Sequence, residues 1–60
     1  MNSQEILLLL KEKGFHMTIV NLETRIPYMR LNKCIKGDLE LKESEYRRLG
    51  AYASSKGLRA

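Results

Sequence analysis

The residues able to do acid–base or nucleophilic chemistry in this 60-residue chain are few and scattered. His16 is the only histidine and Cys34 the only cysteine. No serine, cysteine or carboxylate stands beside His16 in sequence to complete a catalytic constellation, so it reads as a surface or packing residue. One cysteine cannot close an intramolecular disulfide, and with one histidine it falls short of a four-ligand zinc site. Cys34 therefore reads as a small apolar side chain. Neither a metal nor another cofactor is expected, and the chain is too small to bury a deep pocket for a small-molecule substrate. These observations argue against an enzyme.

The chemistry that does concentrate is cationic. Arg25, Arg30, Lys33 and Lys36 lie between positions 25 and 36 with no acid among them, a charge equal to the formal +4 of the whole chain. Residues 1 to 24 carry two lysines against three glutamates, and residues 37 to 60 carry five cations against four acids. Four cations on one short segment suit a polyanion. Cations bind the phosphates that border a DNA groove, while Arg30 has the bidentate fork and Asn32 the donor and acceptor needed to read base edges. The competing reading is a solvated basic face without a ligand.

The elements that must position these residues follow from spacing and punctuation. The apolar fraction of 43% against 30% charged is that of a folded module. A first helix is expected from Asn2 to Gly14, with Asn2 or Ser3 as cap, Glu5 at the third helical position, and Gly14 closing the end so that Phe15 meets Leu10. Its run Ile6 to Leu10 is five residues, against roughly 20 for a membrane span, and covers more than one face. Either the other helices envelop it as plain core, which is the expected reading, or part of it, with Leu8 the candidate, meets a second subunit. Residues 15 to 22 suit a short strand by their β-branched content, but Ile19, Leu22 and Ile26 recur at three and four, favouring a helix from about Ile19 to Arg25 capped by Thr18.

Pro27 disfavours helical geometry at Ile26, so a third helix is expected from Pro27 to Lys36, stopped by Gly37. Leu31, Cys34, Ile35 and Tyr28 form its apolar side; Met29, Arg30, Asn32, Lys33 and Lys36 form the other. Leu39 and Leu41 then plug the core. A last helix begins near Lys42, with Leu41 and Tyr46 as a hydrophobic staple, Glu45 at its third position, and Tyr46, Leu49, Tyr52 and Ala53 facing inward. Gly57 stops it and residues 58 to 60 fray. The expected fold is all-α: residues 1 to 60 as one domain, a compact bundle of four short helices.

Within that bundle the run Ile26-Pro27-Tyr28-Met29-Arg30-Leu31-Asn32-Lys33-Cys34-Ile35-Lys36-Gly37, extended back to Val20, resembles the helix-turn-helix of small phage repressors of the Cro/C1 type. Ile26, Leu31 and Ile35 match the apolar positions of the turn and recognition helix. Two positions depart from the pattern. Arg25 stands where the family has the turn glycine, at a cost of roughly 1 kcal/mol for a left-handed side-chain-bearing residue, and Asn21 stands where it has a small alanine. The resemblance implies a homodimeric transcription regulator of phage or prophage origin, binding double-stranded DNA in the bacterial or infected-cell cytoplasm with helix 27–36 in the major groove. Carried over residue by residue, the DNA-binding positions are Arg25, Tyr28, Met29, Arg30, Asn32, Lys33 and Lys36. The alternative is a small protein-interaction module, an inhibitor or adaptor docking through its leucine-rich or basic helix. A membrane-surface peptide fits poorly, because the apolar and basic residues fall on different helices.

Overall fold

In the computed structural model, which describes residues 1–58, the side chain of Asn2 accepts a hydrogen bond from the Glu5 N–H (2.9 Å), and the Glu5 carboxylate accepts from the Asn2 N–H (2.9 Å). This reciprocal cap starts α1, Ser3–Glu12. Its other end closes as the glycine predicted. Gly14 is left-handed (φ 95°), the Phe15 N–H donates to Leu10 O, and the Gly14 N–H donates to Lys11 O, the pair of bonds that defines a Schellman ending. The same closure recurs at Gly37 after α3 (Tyr28–Ile35) and at Gly57 after α4 (Glu43–Ser55).

The second helix differs from the expectation in both register and face. α2 spans Met17–Thr24, beginning two residues before Ile19, and His16 rather than Thr18 is its cap. The buried face is Met17, Val20 and Thr24, whereas Ile19 and Leu22 are 44% and 70% exposed. Two faces of this segment have helical periodicity, and the core takes the one whose side chains meet α3 and α4. A strand over residues 15 to 22 does not form; the described residues contain none.

All four helices contribute to one core. Leu7 and Leu10 of α1, Val20 of α2, Ile26 of the turn, Leu31 of α3 and Leu49 of α4 are fully enclosed, with Cys34, Tyr52 and Ala53 beside them. α1 and α2 each pack against both α3 and α4. Leu39 and Leu41, in the connection before α4, are partly buried against this cluster, as expected of plugs. Leu8 remains 45% exposed. With Lys42 as the cap, Leu41 and Tyr46 hold the staple positions, but Tyr46 does not face inward as expected. It is 37% exposed, and its hydroxyl donates to the Met1 carbonyl (2.8 Å), tying α4 to the start of the chain. Leu58 is half-buried; the fraying expected of Arg59 and Ala60 lies outside the described residues.

Candidate nucleic-acid interface

The basic segment begins in the connection between α2 and α3, which is three residues long: Arg25, Ile26 and Pro27. Arg25 is the only non-glycine with positive φ among the described residues (φ 62°, ψ 22°), a left-handed conformation that glycine adopts more readily than a residue with a side chain. Side chains compensate where the glycine is missing. Asn21 donates from Nδ2 to the Ile26 carbonyl (2.6 Å), and Thr24 Oγ1 donates to Val20 O (2.6 Å) while accepting from the Ile26 N–H (3.4 Å). From α4, Arg48 Nε donates to Thr24 O (2.9 Å), placing a cation at the carbonyl end of α2. Asn21 and Arg25 therefore stand in one hydrogen-bonded turn. Asn21 uses its amide to hold the backbone that enters α3, a bond alanine cannot make.

Beyond the turn, Pro27 caps α3 with its carbonyl, which accepts from the Arg30 and Leu31 N–H groups. Leu31 and Cys34 are buried and Ile35 is half-buried. Burial pushes the Cys34 thiol above its ordinary range, which suits a packing role. The outward face carries Met29 (69% exposed), Lys33 and Lys36, with Asn32 half-buried at its edge. Tyr28, expected on the apolar side, is 46% exposed and belongs to this outer surface. At the far end of α3, Gln4 Nε2 of α1 donates to the Ile35 carbonyl (2.8 Å).

Arg30 has a different situation from the other cations. Its Nε and Nη2 donate side-on to both oxygens of Glu45 (2.8 and 2.7 Å), and its side chain is 29% exposed against 8% for Glu45. The same Glu45 Oε1 accepts from the Lys42 N–H (2.8 Å), capping the start of α4. The Arg30 guanidinium, joined by the Lys42 bond, holds the Glu45 carboxyl below the usual carboxylate range against the opposing effect of burial. Three polar ties thus fix α3: Asn21 before its start, Glu45 at its middle and Gln4 at its end.

Tyr28, Asn32 and Lys36 converge with residues from two other elements around a groove of about 270 Å³. Lys11 of α1, His16 and Thr18 complete the polar lining over Met17 and Ile35, and no lining residue is acidic. His16 makes no side-chain bond as the α2 cap, and the Met17 and Thr18 N–H groups have no backbone partner among the described residues. The sequence offered His16 only as a surface or packing residue and Thr18 only as a helix cap, and it did not single out Lys11. The signal available was weak: Lys11 sits in the last turn of α1, but only the packing of α1 on α3 sets it beside Lys36. Arg25, Met29, Arg30 and Lys33 lie outside this groove lining.

Among the described residues no cluster of His, Cys, Asp or Glu has the arrangement of a metal site, and no helix is long and apolar enough to cross a membrane. Comparison with protein-family models, curated proteins and solved structures finds no match to the chain.

Proposed function

We propose that this chain is a sequence-specific regulator of transcription of the phage-repressor kind, which binds double-stranded DNA as a homodimer by inserting α3 into the major groove, and that it works in the cytoplasm of a bacterial or infected cell. The observation that carries the reading is the acid-free outer surface of α3 together with the groove it shares with Lys11 and Thr18. A helix of eight residues is about 12 Å long, comparable to the width of the major groove. Asn32 has the amide geometry to pair with adenine, and the exposed Met29 is an apolar partner for a thymine methyl. Lys33, Lys36, Lys11 and Arg25 are the phosphate contacts, with Tyr28 adding a hydroxyl donor. Arg30 supports this surface through Glu45. The exposed Leu8 is the first candidate for the contact between subunits.

The triple variant N32A/K33A/K36A tests the reading. It alters exposed or half-buried positions, so helicity by circular dichroism stays at the wild-type level while affinity for duplex DNA falls at least about tenfold, to the residual attraction of Lys11 and Arg25. Retained affinity in that variant overturns the assignment. A second reading, docking on a protein partner, draws on the exposed Ile19 and Leu22 of α2. It predicts that salt-sensitive binding to random duplex is absent at low ionic strength and that L22A, not the triple variant, disrupts the complex.

A further inference from the structure

We propose that Glu45 is an internal competitor that keeps the Arg30 guanidinium off the nucleic-acid backbone, and so sets how strongly the α3 surface is attracted to DNA of any sequence; this rests on the DNA-binding reading above. The juxtaposition is specific. Arg30 is the third residue of α3, between the exposed Met29 and, one turn on, the exposed Lys33, so its side chain leaves the same surface as the phosphate contacts proposed above. Instead of extending outward, it turns toward α4, where both Glu45 oxygens take its Nε and Nη2 protons.

The pair is more than the α4 cap needs. Capping is done by one oxygen accepting from the Lys42 N–H, and a neutral amide at position 45 can do the same through its carbonyl. The carboxylate's charge is what retains Arg30. A carboxylate and a phosphate offer the guanidinium the same side-on geometry, which makes the two direct rivals for one cation. The remaining third of the side chain is already at the surface, so exchange requires a rotation of Arg30 and no opening of the core. The surface therefore engages DNA with one phosphate contact fewer than its count of cations, which limits the sequence-independent part of the affinity and leaves Asn32 and Met29 a larger share of discrimination.

The experiment is a salt titration of binding to a random-sequence duplex by the wild type, E45Q, E43Q and R30M/E45Q, with the stability of each checked by urea unfolding. E43Q is the control for charge alone, since Glu43 is an exposed acid on the same helix, paired among the described residues only with Arg47. The expected result is that E45Q steepens the dependence of log K on log salt by about 0.9, the increment for one added phosphate, whereas E43Q leaves the slope at the wild-type value. R30M/E45Q, which avoids stranding an unpaired carboxylate, then returns to the wild-type slope. An E45Q slope equal to that of the wild type or E43Q, or a gain that persists in R30M/E45Q, overturns the inference while leaving the DNA reading intact. No binding by the wild type at low salt overturns both.

Discussion

Replacing Arg25 by glycine makes the protein more stable, although it deletes a charged side chain from the turn that sets α3. Arg25 sits at φ 62° and ψ 22°, where a Cβ is crowded against the following carbonyl at a cost of about 1 to 2 kcal/mol. Glycine removes that cost but gains freedom in the unfolded chain worth about 0.4 to 1 kcal/mol, which offsets part of it. The net gain lies between about 0 and 1.6 kcal/mol, and its midpoint of about 0.8 kcal/mol corresponds to a rise of about 3 to 6 °C in Tm for a domain of this size. The turn's own bonds do not involve the Arg25 side chain: Asn21 to Ile26, Thr24 to Val20 and Arg48 to Thr24 all persist. The assay is thermal unfolding followed by circular dichroism for R25G, R25N, R25A and R25V. The expected order is Gly, Asn, then Arg and Ala together, and Val last, since a β-branched residue tolerates this region worst. If R25G melts no higher than R25A, the backbone strain argument is refuted; if both melt well below the wild type, the arginine side chain holds the turn. Both R25G and R25A should also flatten the salt dependence of DNA binding by about 0.9, so the stability and charge effects separate in one set of variants.

Three further outcomes follow from groups inside the bundle. The Tyr52 hydroxyl is buried without a hydrogen-bond partner among the described residues, so Y52F is neutral or raises the unfolding free energy from urea titration by up to about 1 kcal/mol; its edge contact with Phe15 (6.2 Å) and the Lys56 ammonium over its ring (5.5 Å) need no hydroxyl. A loss of more than about 1 kcal/mol in Y52F contradicts this environment. Because the Glu45 carboxyl titrates lower in the folded chain than when unfolded, its contribution is present above the ordinary value of about 4.3 and is lost as pH falls through the depressed one. Urea midpoints measured from about pH 6 down to about pH 3 should therefore fall less steeply for E45Q than for the wild type, and parallel curves would refute the pairing. Cys34, 2% exposed with its thiol pushed up by burial, should react with iodoacetamide at least on the order of tenfold more slowly in buffer than in urea; equal rates would mean that it is not enclosed.

Much of the fold was legible because its punctuation is local. Asn2 with Glu5, and the glycines at 14, 37 and 57, announce helix ends through bonds between residues three to five apart. α2 was less legible because its cap, His16, supplies no side-chain bond, and because Ile19 with Leu22 and Met17 with Val20 follow the same spacing on different faces. Only contact with α3 and α4 decides between them. The basic stretch was plain in the sequence, but its division was not. Arg30 and Glu45 are 15 residues apart on helices that the chain must first fold to bring together. Pairing of the basic helix with the acids of the last helix was a legible alternative that would weaken a DNA-binding role, and Arg30 takes it; what the spacing did not show is that Glu45, a cap residue, is the acid concerned and that Lys33 and Lys36 stay clear. The groove residues Lys11 and Thr18 were equally hidden, since each belongs to a different helix from Asn32 and Lys36.

The most direct test of the account is the salt dependence of wild-type binding to duplex DNA, measured by fluorescence anisotropy from low to physiological ionic strength. If Lys11, Arg25, Lys33 and Lys36 each displace one phosphate counterion, log K falls against log salt with a slope of about −3.6 per protein chain, and N32A/K33A/K36A loses about half of it. Binding that is absent at low salt, or whose slope is unmoved by removing Lys33 and Lys36, contradicts the assignment of α3 as the surface that meets DNA.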